Sequence, residues 1–99
     1  MAQSEILEID PATLHLPGSR RDGADVTKLQ RQFSRFGTST SGMPPLQVSR
    51  GTDGGLVIND GVTRATRIAR YAPGTLVTVE VIDNIPAIIA SLPTVGEKL

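Results

Sequence analysis

The 99-residue chain lacks cysteine and tryptophan, and aromatic residues make up only 3% of it. Without cysteine there can be no disulfide framework, no thiolate zinc site and no cysteine nucleophile, and a reducing compartment is the default expectation. No apolar run approaches the roughly 20 residues that a membrane helix needs, so we expect no membrane partner. The acidic first residues lack the basic segment of a signal peptide, which favours a cytoplasmic protein.

The length and composition are those of one small domain. Hydrophobic residues make up 38% of the chain and charged residues 20%, which is lean for a globular protein but not typical of disorder. A chain of this length can bury roughly 60–70% of its unfolded surface in a single core. We therefore predict one domain over 1–99, with a core over about 5–83. The C-terminal tail (84–99) is expected to be mobile at its end, and Pro86 suggests a short helix at 83–91.

The formal net charge of zero conceals an uneven distribution of charge along the chain. Residues 20–70 contain nine Lys and Arg against four Asp and Glu, a net charge of +5, and eight of these nine cations are Arg. Arginine suits forked hydrogen bonding to phosphate or carboxylate. For any single Arg a solvated surface position is the simpler interpretation, so a phosphate-binding patch requires several of them to converge.

Hydrophobic patterning predicts strand, helix, β-hairpin, helix and strand, in that order. The predicted elements are a strand at 5–9, a helix at 24–36, a hairpin of 46–50 with 56–59, a helix at 62–71 and a strand at 75–82. In the first helix an apolar stripe predicts the core-facing side, and it is formed by Val26, Leu29, Phe33 and Phe36. This order predicts an α+β domain with a small mixed sheet and two or three helices.

The segment that follows Asn59 is the most informative one for function. It reads as a strand, an Asp60-Gly61 turn and the start of a helix, whose free amides and positive dipole end favour anions. Gly61 lets a ligand approach the backbone, Thr63 adds a hydroxyl, and Arg64 can fold over a bound anion. Arg67, three positions on, is expected to share the face of Arg64 and extend this phosphate cradle.

The same residues also have a purely structural interpretation. Gly61 can serve only as a turn residue, Asp60 or Thr63 only as a helix cap, and Arg64 only as a surface charge. The Asp-Gly-x-x-Arg pattern is weak by itself.

Several motifs in the order in which they occur resemble the ParB N-terminal/sulfiredoxin-like superfamily. They are an Ile-x-x-Ile-Asp-Pro strand (6–11), a basic pair (20–21), a helix ending in Gly (29–37), a Pro-Pro-Leu-x-Val strand (44–48) and the Asp-Gly-x-x-Arg box (60–64). A closing Val-x-Val-x-Val-Ile strand (77–82) follows. The resemblance covers about residues 5–83 and implies a ParB/sulfiredoxin-like fold.

In that superfamily the Gly-x-x-Arg box binds nucleotide phosphates, which implicates Gly61, Thr63 and Arg64 here. The resemblance places Arg20 and Arg21 more loosely, as a second element on the phosphate side. Val62 and Thr63 stand where sulfiredoxins have Cys and His, which excludes their thiol chemistry. Centromere-binding ParB proteins carry a different box and a further DNA-binding domain. Compact members are similar to modules of secreted bacterial toxins that are described as nucleases, and a module of that kind would be secreted.

We therefore predict a domain that binds a nucleotide or a nucleic-acid phosphate, with a nuclease-like or toxin-type activity left open. Asp60 (general base or metal contact) and Arg64 are the candidate catalytic residues. The candidate phosphate-binding residues are Gly61, Thr63, Arg64, Arg67, Arg20 and Arg21. No protein-held metal site is expected, although a nucleotide could bring Mg²⁺ with it. The alternative is a catalytically inert scaffold that binds a protein partner.

Two residue types limit this hypothesis. The only histidine, His15, lies beside Leu14 and Leu16 and is more typical of a packed or surface residue than of a catalyst. Phe33 and Phe36 are expected in the core, which leaves Tyr71 as the one aromatic side chain for base stacking.

Overall fold

Four strands form one mixed sheet in the computed structural model, which describes residues 5–99. The strands are β1 (Glu5–Ile9), β2 (Leu46–Arg50), β3 (Leu56–Asp60) and β4 (Val77–Asn84). Their order across the sheet is β1-β4-β2-β3. β4 is antiparallel to β1 and parallel to β2, and β2 and β3 form an antiparallel hairpin. The predicted mixed sheet is confirmed.

Two helices complete the α+β fold, α1 (Val26–Phe36) and α2 (Val62–Tyr71). Asp25 caps α1 because its Oδ1 accepts the Lys28 N–H at 2.9 Å, and this hydrogen bond lowers the pKa of the Asp25 carboxyl. Gly37 ends α1 at φ 59°, a left-handed value that favours glycine. Neither helix of residues 5–99 is long and apolar enough to cross a membrane.

The core lies between one face of the sheet and α2. Alternate residues of β4 and β2 point to this face, as the two-residue period of a strand requires. α2 contributes Ala65, Ile68 and Ala69 to this core. The buried cluster consists of Leu14, Leu16, Leu46, Val48, Ile58, Ala65, Ile68, Ala69, Val77, Val79, Val81 and Val95.

α1 lies outside this core, contrary to the prediction from its apolar stripe. Only Leu29 is buried, whereas Val26 is 66% exposed and Phe36 is 48% exposed. α1 contacts α2 and contributes no residue to the buried cluster between α2 and the sheet, so its apolar stripe is covered only in part. Phe33, also exposed in part, stacks on Tyr71 with ring centroids 4.1 Å apart.

The helix predicted at 83–91 is absent. β4 continues to Asn84, and turns follow it. The physical reason is the Asp53 carboxylate, which accepts the N–H groups of Ile89 and Ala90 at 3.1 and 2.9 Å and so removes the donors that a helix would use. The hydrogen bond from Ala90 is the largest cause of the lowered pKa of Asp53.

The C-terminal segment is part of the core and not a mobile end, which corrects the second expectation for the tail. Val95 is 1% exposed, and its N–H donates to the Leu14 carbonyl at 2.8 Å. The Leu16 N–H donates in turn to the Pro93 carbonyl at 2.7 Å. His15 pairs on its other side with β3, where its N–H donates to the Leu56 carbonyl at 2.9 Å. The tail therefore completes the fold beside β3.

Candidate functional site

A cavity of about 290 Å³ opens where β3 passes into α2. Three segments surround it: the loop that includes a short 3₁₀ turn (Gly18–Arg20), one side of α1, and the β3–α2 turn. The lining residues are Pro17, Ser19, Arg20, Lys28, Gln32, Asn59, Asp60, Gly61, Val62, Thr63 and Arg64. Four of the six residues predicted for phosphate binding therefore line this one cavity, namely Arg20, Gly61, Thr63 and Arg64.

The start of α2 has no side-chain cap among residues 5–99. The first helical hydrogen bond runs from the Ala65 N–H to the Gly61 carbonyl, at 2.9 Å. The amides of residues 62–64 therefore lack a helical acceptor, as the first N–H groups of a helix do. Val62, Thr63 and Arg64 all line the cavity, so the positive end of the helix dipole lies at its wall.

Gly61 is required by the fold itself. Its φ of 112° is left-handed, and a Cβ at this position would overlap the Leu46 side chain and come within 3.1 Å of the Arg64 Nη2 atom. The sequence pattern left two roles open for Gly61, a turn residue and an opening through which a ligand approaches the backbone. The structure adds a further reason, since the bare Cα lets the turn close against the core.

Arg64 lines the cavity, but protein groups already engage its guanidinium. Its Nη1 donates to the Pro44 carbonyl at 3.0 Å, and its Nη2 forms an ion pair with Asp60 Oδ2 at 3.0 Å. The Arg64 side chain is 16% exposed, whereas that of Asp60 is 71% exposed. Arg64 therefore fixes the loop before β2 and orients Asp60, and it adds positive charge to the wall without extending over the cavity.

Arg67 lies elsewhere, contrary to the expectation that it would extend the cradle. It is only 2% exposed, and its Nη1 donates to the carbonyls of Gly37 and Ser39 at 2.8 and 2.9 Å. Burial lowers the pKa of its guanidinium. Three residues of helix rotate a side chain by about 60°. That rotation turns Arg67 toward the end of α1, where it holds the 37–45 loop.

The two residues of the basic pair separate. Arg20 lines the cavity, whereas Arg21 lines a different concavity beside Asp22 and Glu97. Arg20 and not Arg21 is therefore placed to contact a ligand at the start of α2.

Two residues of α1, Lys28 and Gln32, line the cavity although the sequence analysis did not select them. They are four positions apart and so lie on the same side of the helix. Within residues 5–99 the only ion pairs are Arg50–Glu5 and Arg64–Asp60. Arg20 and Lys28 therefore line the cavity without forming a salt bridge to a described carboxylate. The one carboxylate on the cavity wall, Asp60, is paired with Arg64.

Comparison of the chain with family models, with curated proteins and with solved structures finds no match. The assignment of a function therefore rests on the residues of the cavity.

The cavity offers few groups for metal or acid–base chemistry. Asp60 is the only carboxylate on its wall, too few oxygen ligands for a dedicated Mg²⁺ site. Asp53 lies beyond the other end of β3 and is engaged by backbone N–H groups. No cluster of three or more metal-binding side chains occurs in the described part of the chain. His15 is also engaged, since its Nδ1 lies 2.8 Å from the Leu92 carbonyl and must donate to it.

Proposed function

We propose that the cavity at the start of α2 binds the phosphate groups of a nucleotide. The observation that carries the proposal is a convergence: uncapped amides of α2 and two cations without salt bridges, Arg20 and Lys28, line one concavity. Helix N-termini bind phosphate because the amides donate hydrogen bonds and the dipole favours negative charge. The cations come from two other segments, so the charge surrounds the amides.

The size of the cavity favours a single nucleotide. Ligand pockets commonly occupy about 300–1,000 Å³, and this cavity, at about 290 Å³, lies near the lower limit. The Thr63 side-chain hydroxyl and its backbone N–H, in the first turn of α2, can each donate a hydrogen bond to a phosphate oxygen. Arg20 and Lys28 neutralise the charge. A Mg²⁺ ion would arrive with the phosphates, since Asp60 alone cannot hold it.

The family resemblance supports the same location. The box from Gly61 to Arg64 lies in a strand–turn–helix context, and this is the position at which the ParB/sulfiredoxin-like superfamily binds phosphate. The resemblance concerns the pattern and the order of elements, while the cavity and its charge are independent of it.

The side chains that line the cavity favour binding of a nucleotide over its cleavage. Hydrolysis needs a general base, a nucleophile or a metal. The wall offers Asp60, which is paired with Arg64, and the only histidine is not on it. Asp60 and Arg64 therefore stay candidates for catalysis that an activity assay must test separately.

Isothermal titration calorimetry with ATP and CTP tests the proposal. We expect saturable binding that weakens on the order of tenfold in Thr63→Val, because a hydrogen bond to a charged group is worth about 1.5–3 kcal/mol. Arg20→Ala and Lys28→Ala should weaken binding as well. Arg70→Ala removes the same charge from an exposed site outside the cavity and is the matched control. Equal losses in the control and in the cavity variants would contradict the proposal.

Asp60→Asn separates binding from the two alternatives. If Asp60 serves only as the ion-pair partner of Arg64, removing its negative charge should leave nucleotide binding equal or tighter. Loss of a nucleic-acid-cleaving activity in this variant would instead make the domain a nuclease. No saturable heat with any nucleotide in the wild type would favour the inert scaffold that binds a protein partner.

A further inference from the structure

A second concavity, of about 350 Å³, continues the nucleotide cavity along the exposed side of α1. We call it the α1 groove, and it is lined by Lys28, Arg31, Gln32, Arg35, Phe36 and Thr63. Lys28, Gln32 and Thr63 also line the first cavity, so the two spaces adjoin. A ligand held at the start of α2 therefore lies next to the α1 groove and can extend toward it.

The charge of the α1 groove has one sign. Lys28, Arg31 and Arg35 line it, and no carboxylate does. None of the three is in a salt bridge with a carboxylate of residues 5–99. Asp25 caps the first turn of α1, and its carboxylate interacts electrostatically with Lys28. With a rise of 1.5 Å per residue, the three cations extend over about 10 Å. This length suits a ligand with several anionic groups in a row.

Phe36 gives the far end of the groove an aromatic surface. Phe36 is 48% exposed, and the guanidinium groups of Arg35 and Arg67 each lie 5.4 Å from its ring centroid, so a base would contact the part of the ring that these two groups leave open. The sequence predicts Phe36 in the core and leaves Tyr71 as the aromatic residue for base stacking. In the structure Tyr71 packs on Phe33, and Phe36 is the aromatic residue that lines the groove. The groove therefore has one partly accessible aromatic side chain for a base.

We infer that the ligand of this site is a single-stranded nucleic acid, which rests on the proposed function of the first cavity. One phosphate binds at the start of α2, the following phosphates lie along Arg31 and Arg35, and a base stacks on Phe36. A positive groove that tracks the backbone, combined with an exposed aromatic face, is how proteins bind single strands without sequence preference. A duplex keeps its bases stacked on one another and cannot place one on Phe36.

Fluorescence anisotropy of a labelled octathymidylate tests this inference beside the titration with ATP. We expect Arg31→Ala/Arg35→Ala to weaken the oligonucleotide on the order of tenfold and to reduce the salt slope by about 1.4, since each phosphate contact contributes about 0.7 for single strands. ATP affinity should stay within twofold. Phe36→Ala should weaken the oligonucleotide at least about fivefold, and Phe36→Tyr, which keeps a stacking face, should restore it.

Arg70→Ala/Lys98→Ala is the charge-matched control, because both side chains are exposed and neither lines the α1 groove. Two results with normal ATP binding would overturn this inference and leave the proposed function standing. One is an oligonucleotide affinity that does not change in the groove variants. The other is an affinity that the control variant reduces as much as the groove variants do. A duplex bound more tightly than the single strand would also overturn it. Failure of both ATP and the oligonucleotide to bind would refute the two together. Thermal melts of each variant separate unfolding from lost binding.

Discussion

The two helices are nearly equal in length, 11 and 10 residues. Their environments differ. α2 buries five consecutive residues, from Ala65 to Ala69, whereas α1 buries only Leu29. α2 shares a buried cluster with the sheet and also contacts α1, so it is enclosed, whereas α1 contacts α2 and contributes no residue to that cluster. An apolar stripe therefore predicts that a helix packs against something, but not how deeply.

This difference shapes the candidate site. The start of the enclosed helix α2 has fixed neighbours, and its amides keep one orientation. The outer helix α1 supplies side chains that solvent surrounds, such as Lys28 and Arg31. The cavity thus joins a rigid wall of backbone donors to an adaptable wall of long cations, a combination that suits phosphate.

The largest effect is expected from Ile68→Ala, which removes a fully buried side chain from the inner side of α2. Loss of a buried Ile side chain costs about 2–5 kcal/mol, because a cavity remains in the core. Urea unfolding followed by circular dichroism measures this change in the free energy of unfolding. A cost below about 1 kcal/mol would mean that α2 is not enclosed as described.

A smaller loss is expected from Arg67→Met, which keeps the length of the side chain but removes the donor to the carbonyls of Gly37 and Ser39, two partly buried hydrogen bonds. Loss of such hydrogen bonds from a charged donor costs about 1–3 kcal/mol. Hydrogen exchange in residues 37–45 should increase more than in the sheet. Uniform exchange across the chain would contradict the role of Arg67 as the anchor of this loop.

Val95→Ala tests whether the C-terminal segment belongs to the enclosed side of the molecule. Two buried methyl groups are lost, at about 0.8 kcal/mol each, so the free energy of unfolding should fall by about 1.6 kcal/mol. The neighbouring exposed change Lys98→Ala is the control. Identical midpoints of denaturation for wild type and Val95→Ala would contradict the packing of the C-terminal segment in the core.

The smallest effect is expected from Val26→Ala at the exposed first position of α1. Surface substitutions usually change stability by less than about 0.5 kcal/mol, and Ala has the higher helix propensity. Set beside Ile68→Ala, this variant measures the contrast between the two helices directly. A loss as large as that of Ile68→Ala would show that the apolar stripe of α1 is covered in solution.

Local signals in the sequence predicted much of the fold. The bounds of α2 matched at 62–71 because Gly61 and Pro73-Gly74 delimit it, and the hairpin followed from a polar turn between two apolar strands. Three features depend on partners far away in the chain: the exposure of Phe36, the burial of Val95 and the absence of a helix at 83–91. The hydrogen bond from His15 to Leu92, for example, joins residues 77 positions apart. Periodicity contains no information on such pairs.

The candidate site divides in the same way. Asp60, Gly61, Thr63 and Arg64 were predicted together because one turn contains them. Lys28 and Gln32 were missed because they reach the cavity only through the packing of α1 on α2. The prediction for Arg67 was wrong because its hydrogen-bond acceptors are backbone carbonyls at and near Gly37, and every residue type has such a carbonyl.

The pairing of Leu14 and Leu16 with residues 93–95 has a consequence for folding kinetics. This part of the core closes only when residue 95 has been synthesised, so Leu14 and Leu16 of a nascent chain lack these partners while the intervening residues are made. Closing so large a loop is slow, and we expect the protein to mature late, after local helices and the hairpin have formed.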